Sequence, residues 1–364
     1  MIMGDDSSCY RLRNPFGASC DPWSNVSKLR DSDGGETKKK ADQRVGPFVL
    51  LDELSGGGSA RMFRARYQPL PGDAPLALEE DDVVVIKVLR DLAVRDPKQV
   101  NAFTREAELL SMVDHPSVVR GLTRGVTSGR IWMALEYIEG EDLAVLFQAA
   151  RADQLRLRPE VALVIMVDLM AGLAAAQSIV DPRGRPLGLI HRDLSPKNVL
   201  LDLRGQTRLI DFGAALLSVR EEPGQGEIIG SPGYLAPEQA RGEQLTQGVD
   251  VYASGLLLFE MLTGQRAFDV ENLPDGRVLT AHSNNERAAW PANLDLPLDL
   301  KDLVDQATAD TPEERPADAT AMYALVEGLL ADPDDARQRL SLVVRDLLMT
   351  NPERPAPLLL HRPH

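Results

Sequence analysis

Two hydrophobic periods run along this chain, and one gives way to the other near Gly140. Before that point the apolar residues favour strands. PFVLLDEL, from Pro47, is a short apolar run, SGGGSA breaks it, and RMFRARY (61–67) alternates, which predicts two strands flanking a glycine turn. A polar connection leads into VVVIKVL (83–89), whose β-branched density predicts a buried strand interrupted by a single charge, Lys87. Residues 98–113 place Val100, Phe103, Ala107, Leu109 and Leu110 at helical spacing opposite a charged face. VVRGLTRGV and RIWMALEYI read as two further strands around a TSG turn. The first part is therefore a mainly antiparallel sheet with one helix.

After Gly140 the pattern predicts helices near 142–154, 159–180, 247–264, 300–308 and 317–331, with a short strand pair around LDLRGQTRLI. Residues 332–349 form one more amphipathic segment, with Asp332 ahead of Pro333 as its cap, before a Pro-rich end. Residues 1–46 mix charge, Ser, Gly and Asp without either period, which predicts a disordered N-terminal tail. No internal repeat is present.

Composition narrows the function classes. The 364 residues are 43% hydrophobic, enough for a sizeable core, and the net charge of −15 argues against nucleic acid as a partner, because such affinity rests on Lys and Arg neutralising phosphates. The two cysteines, Cys9 and Cys20, make neither a disulfide framework nor a four-ligand zinc site, and a reducing cytoplasm fits them. Uncharged apolar runs such as VALVIMV and ASGLLLF fall short of the roughly 18 residues that span a bilayer, so no membrane association is expected. The start MIMGDDSS lacks a basic segment followed by an apolar core, so no secretory signal is expected either.

The candidate chemistry centres on LIHRDLSPKNVLL (189–201), in which His191, Arg192, Asp193, Lys197 and Asn198 stand between two apolar runs. Singly, each signal in the chain is weak: a glycine run is usually a turn, a strand Lys marks an edge, and Asp and Asn commonly cap turns. Order and spacing add what the single signals lack. The glycine turn precedes Lys87, Glu106 follows 19 residues later on the helix, and HRDLSPKN, DFG and APE come after in that order. In this the chain resembles the protein kinase superfamily, and within it the bacterial serine/threonine kinases of eukaryotic type, over about residues 47–331.

The resemblance implies an α+β fold of two lobes, a small antiparallel sheet lobe with one helix (47–138) and a larger, mainly helical lobe (139–331), followed by a C-terminal helix and Pro-rich tail (332–364). It implies ATP- and Mg²⁺-dependent transfer of the γ-phosphoryl group to Ser or Thr hydroxyls of protein substrates, with autophosphorylation as one outcome. Positioning and electrostatic stabilisation dominate such transfer, which accounts for the residue types. On the family pattern, Asp193 orients the attacking hydroxyl, Lys87 reaches the α- and β-phosphates, Glu106 holds Lys87, and Asn198 and Asp211 supply oxygen ligands to magnesium. Gly57 and Gly58 would cradle phosphate, Leu54, Met62, Val85 and Leu200 would sandwich adenine, Glu136 to Ile138 would form the hinge beside the gatekeeper Leu135, and Asp142 would meet the ribose. Asp250 would anchor the catalytic loop, and Glu238 and Arg315 would brace the second lobe.

Several positions depart from the pattern. Ser55 and Ala60 stand where the family has its first and third loop glycines. Ser195 stands two residues after Asp193, where serine/threonine kinases usually have lysine, while Lys197 stands four after it, where some tyrosine kinases carry their cation; Lys197 is expected to meet the γ-phosphate. These departures motivate the alternative of a pseudokinase scaffold. A small-molecule phosphotransferase is a third reading, which the complete GSPGYLAPE segment (230–238) opposes; within that segment Ser231 occupies the hydroxyl position that normally touches the catalytic Asp. Between Asp211 and Glu238 the hydroxyls are Ser218, Ser231 and Tyr234, and Glu221, Glu222 and Glu227 offer Arg192 a permanent anion. Activity without loop phosphorylation is expected, and mass spectrometry showing that activity requires stoichiometric phosphate on Ser218 would overturn this.

Overall fold

The computed structural model describes residues 44–55, 59–71, 73, 75–152, 155–217, 229–270, 272–349 and 360–361. The loop glycines Gly57 and Gly58, as well as Ser218, Glu221, Glu222 and Glu227, lie outside the described residues, as do residues 1–43. The chain divides into two compact units. The first ends at Met112 and also takes Val119–Ile138; the second holds Val113–Val118 and everything from Glu139 onward.

The first unit is a six-stranded antiparallel sheet in the order β1-β2-β3-β4-β6-β5, built from β1 (Arg44–Val45), β2 (Phe48–Ser55), β3 (Ala60–Tyr67), β4 (Val83–Leu89), β5 (Gly121–Thr127) and β6 (Arg130–Glu136). Period-two alternation divides β4 between two faces. Val84, Ile86 and Val88 join Phe48, Tyr67 and Trp132 in a buried cluster, with Phe48 edge-on to Trp132 at 5.6 Å between centroids. Val85 and Lys87 take the other face. Arg44–Gly46, which composition assigns to the tail, belong to this sheet: Val45 is buried, and Gly46 turns at φ +55 where a Cβ would lie 2.7 Å from the Trp132 ring.

Among the described residues two helices accompany the sheet rather than the expected one. The four-residue α1 (Asp91–Val94) buries nothing, so no apolar stripe announces it. The expected helix is α2 (Pro97–Met112), with Pro97 at its first position and the Asp96 carboxylate accepting the Lys98 N–H at 2.9 Å. Its buried face contains the predicted apolar stripe and one carboxylate, Glu106.

In the second unit, Val113–Val118 lies along the strand β11 (Thr207–Leu209), where the Leu209 N–H donates to Ser117 O at 2.8 Å. That pairing explains why the segment leaves the first unit despite its place in the chain. β11 belongs to a three-stranded sheet in the order β11-β10-β7, with β7 (Gly140–Asp142) and β10 (Val199–Asp202). The unit's helices are α3 (Leu143–Ala152), α4 (Pro159–Gln177), α5 (Pro237–Arg241), α6 (Gly248–Thr263), α7 (Asp275–Ser283), α8 (Leu298–Ala307), α9 (Ala319–Leu329) and α10 (Pro333–Met349) among the described residues, of which α3, α4 and α10 pack on this sheet. Two short strand pairs complete it: β8 (Arg156–Leu157) with β13 (Leu360–His361), and β9 (Leu189–Ile190) with β12 (Leu216–Leu217).

α4 has mean hydropathy 1.8 and is long and apolar enough to cross a membrane, yet two thirds of that stretch is buried inside the unit, as befits a core helix. Every residue of α6 is buried. α7 went unpredicted because its nine residues bury only Val278, Ala281 and His282, too thin a stripe to register. α10 starts as expected, the Asp332 carboxylate accepting the Asp335 N–H at 3.0 Å.

His282 stacks on Phe268 with ring centroids 3.8 Å apart. Burial pulls its imidazolium pKa down to about 4, opposed by the neighbouring Leu235 backbone. The folded pKa is depressed, so the folded state keeps the ring neutral while the unfolded chain binds a proton below the ordinary value of 6.5. This stability is present above pH 6.5 and is lost as pH falls toward 4. Urea denaturation between pH 7 and 4 is expected to show His282→Leu removing up to about 3 kcal/mol of that pH dependence.

Candidate active site

The candidate residues fall in both units. In the first, Lys87 on β4 donates to both carboxylate oxygens of Glu106 on α2, at 2.6 and 2.8 Å. Lys87 is 9% exposed and Glu106 2%, so the pair stands almost wholly out of water. Desolvation offsets much of the attraction in such a pair, and removing one partner costs about 3–5 kcal/mol, so it is better understood as fixing the ammonium than as stabilising the fold.

Sheet register places the other first-unit candidates. Met62 is the direct partner of Lys87, and Val85 is the direct partner of Leu135, so all four side chains share one face of the sheet. Met62 and Val85 are half-buried, Leu135 is buried, and Leu54 on β2 is 45% exposed. Glu136, Tyr137 and Ile138 close the unit half-buried, with the Glu136 carboxylate accepting the Arg120 N–H at 2.8 Å.

The second unit holds the predicted catalytic loop. Asp250, fully buried at the start of α6, accepts the N–H groups of His191 and Arg192 at 2.9 and 3.0 Å and the Gln177 amide at 3.1 Å. Burial pushes the Asp250 carboxyl pKa up, while His191 and these hydrogen bonds hold it down. Arg192 adopts φ 66, a left-handed conformation that costs a non-glycine residue about 1–3 kcal/mol. The surroundings over-determine it: its N–H meets Asp250, its carbonyl accepts from the Gln239 amide at 3.1 Å, and its Nε donates to Ala214 O at 2.6 Å. His191 is buried edge-on against Phe212 of DFG, 4.9 Å between centroids.

Both carboxylate oxygens of the half-buried Asp193 accept hydrogen bonds. Ser231 Oγ donates to Oδ1 at 2.6 Å, and the Asn198 amide donates to Oδ2 at 3.1 Å and to the Asp193 carbonyl at 2.8 Å. Asn198 ends a 3₁₀ turn (Pro196–Asn198) directly before β10. Asp211, two residues after β11, takes φ 70 and accepts the Gly213 N–H at 2.9 Å. Lys197 is exposed and, among the described residues, has no hydrogen-bond or ion-pair partner. Asp142 on β7 is the register partner of Leu200 on β10, and it also accepts the Val145 N–H at 2.9 Å, which makes it the cap of α3. Leu200 is half-buried between the fully buried Val199 and Leu201.

The donor set suits a hard cation. Because the Asn198 Nδ2 is committed to Asp193, the amide oxygen is the atom it has to offer, and Asp211 adds a carboxylate. Among the described residues, no cluster of three or more His, Cys, Asp or Glu forms a protein cage. Magnesium bound through one or two side-chain oxygens together with substrate phosphates needs no such cage.

Behind these residues lies the brace predicted for the second lobe. Arg315 forms two hydrogen bonds to Glu238, at 2.7 and 2.9 Å, with both side chains buried. Gln177 and Gln239 were not anticipated, since an amide near the end of a helix carries no sequence signal.

A family model described as the protein kinase domain matches residues 75–326, and the chain belongs to that family. Its two units are the sheet lobe and the helical lobe of the kinase fold. Among similar proteins are a tyrosine-protein kinase, MasK, of Myxococcus xanthus, 33% identical over 293 residues (80% of this chain, 44% of that one). The serine/threonine-protein kinase PrkC of Bacillus subtilis is 31% identical over 307 residues, 84% of this chain and 44% of that one. The serine/threonine-protein kinase pkn3 of Myxococcus xanthus is 30% identical over 325 residues, 84% and 54% respectively. The chain spans about half the length of these curated relatives.

Asp250→Asn turns one acceptor oxygen into a donor facing a buried N–H. Urea denaturation is expected to show a loss of about 1–3 kcal/mol.

Proposed function

We propose that this chain transfers the γ-phosphoryl group of ATP to Ser or Thr hydroxyls of protein substrates. The observation that carries this reading is the 2.6 Å hydrogen bond from the Ser231 hydroxyl to Asp193, a serine hydroxyl held at the carboxylate assigned to receive one. In this reading Asp193 orients the substrate hydroxyl and accepts its proton. Lys87, held by Glu106, contacts the α- and β-phosphates, and Asn198 and Asp211 hold magnesium, whose charge offsets that developing on the phosphoryl oxygens. Lys197, exposed and four residues after Asp193, supplies the γ-phosphate contact that Ser195 lacks. In the first unit Leu54, Gly57, Gly58, Met62, Val85, Glu136 and Ile138 are nucleotide contacts, and in the second unit Asp142 and Leu200 are. The kinase domain runs to 331 and starts at Arg44 rather than 47, because β1 belongs to its sheet; protein substrates including the chain itself are its partners, and the cytoplasm is its compartment.

Ser55, Ala60 and Ser195 motivate a pseudokinase, but Lys87, Asp193, Asn198 and Asp211 are all present, which favours transfer. A second acceptor, tyrosine, is favoured by two observations: a relative is named a tyrosine-protein kinase, and Lys197 stands four residues after Asp193.

Incubation with radiolabelled ATP and a basic protein, followed by phosphoamino acid analysis, is expected to give phosphoserine and phosphothreonine. Asp193→Ala should lower the rate by about 10²–10⁴-fold. Phosphotyrosine alone would establish the second reading, and equal labelling by wild type and Asp193→Ala would end the first. Unchanged turnover in Lys197→Ala would remove that residue from the mechanism.

A further inference from the structure

The three-stranded sheet of the second unit gathers the nucleotide and metal candidates of that unit. Asp142 and Leu200 are partners across β7 and β10, Asn198 immediately precedes β10, and Asp211 follows β11 by two residues. Both proposed metal ligands are thus tied to the two ends of one hairpin, β10–β11. Whatever fixes that hairpin bears on where they sit.

What grips its turn is α10, which begins beyond residue 326, the last one matched by the kinase family model. Ser341 Oγ donates to Leu203 O at 2.7 Å, and Arg345 Nε donates to the same carbonyl at 3.2 Å. Arg337 donates to Gly205 O and to the Gln206 side-chain oxygen, each at 3.2 Å. Gly205 sits at φ +76, and a Cβ there would fall 2.2 Å from Arg337 O, so helix and turn meet backbone to backbone. Ala336, Leu340 and Val344 are fully buried beneath these contacts.

Arg337 does more than touch the turn. Its guanidinium pairs bidentately with Asp168, at 2.6 and 2.8 Å, and Asp168 also accepts the N–H of Thr207, the first residue of β11, at 2.9 Å. Asp168 is 5% exposed on α4, within the otherwise apolar stretch Val161–Ala176. A carboxylate buried there without a cation would be strongly unfavourable. The charge of Arg337 therefore permits the acceptor that pins the start of β11, while the rest of α10 pins the turn.

We infer that α10 is part of the catalytic apparatus and that Arg337 is a positioning residue for the hairpin bearing the metal ligands Asn198 and Asp211. This rests on the proposed kinase reading of those two residues. Arg337 touches no substrate; it acts through Asp168 and the β10–β11 turn.

The test uses the full chain and two readouts besides turnover. Hydrogen exchange of the amides of 199–211, with α6 as internal reference, reports the hairpin. The Mg²⁺ dependence of fluorescent ATP-analogue binding reports the ligands. In Arg337→Ala, hairpin exchange is expected to quicken and the half-saturating Mg²⁺ to rise, each by about threefold or more, with α6 exchange unchanged. Arg337→Lys should recover only part of both, since a point charge does not reproduce a bidentate guanidinium. Hairpin exchange and Mg²⁺ half-saturation equal to wild type would overturn the inference, even with a lowered melting temperature. Should Arg337→Ala fail to fold, Ser341→Ala is read by the same criteria. Failure of the kinase reading looks different: the wild-type chain itself would show no Mg²⁺-dependent nucleotide binding.

Discussion

The second unit is organised around one buried carboxylate. Asp250 lies at the start of a helix with no exposed residue, and it receives two consecutive backbone amides from the catalytic loop. Those bonds hold Arg192 in a backbone conformation it would not otherwise keep, and this conformation sets where the next residue, Asp193, leaves the chain. A charge removed from water this completely is tolerable because three donors surround it. The same Gln177 that donates to Asp250 accepts the first amide of α9 through its own oxygen, so loop, core helices and C-terminal region share one polar connection.

The first unit meets a related problem with a single strand. β4 is apolar on both sides, yet its two faces do different work: one packs against the aromatic cluster, and the other carries an ammonium locked to a helix carboxylate. Packing on the first face fixes the strand, and Glu106 then restricts the ammonium. Together these leave Lys87 little conformational freedom, which suits a group whose proposed task is to meet a phosphate at a set position.

Much of this was legible beforehand, for physical reasons. The period-two strands and the stripes of α2 and α10 were readable because burial on one face leaves a repeating signature, and α4 was readable from the length of its apolar run. The pairs Lys87–Glu106 and Arg315–Glu238 and the contact of Ser231 with Asp193 were readable because their residue types and order match a family pattern. What escaped lacked either signal. α1 buries nothing, α7 buries three residues, and β7 is three residues long. Gln177, Gln239, Asp168 and Arg337 act through hydrogen bonds or ion pairs between segments distant in the chain, and no local spacing encodes them. The six residues Val113–Val118 follow a sheet bond to β11 rather than their neighbours in sequence.

The completeness of burial along α6 has an evolutionary side. A helix that shows nothing to solvent has no surface on which new recognition can be written, and each of its sixteen positions answers to neighbours already in place. Divergence among descendants of this chain is then channelled into the loops and outer helices around an interior that changes slowly. New targets can be acquired at the periphery while the carboxylate at the start of the helix, and the loop it holds, stay as they are.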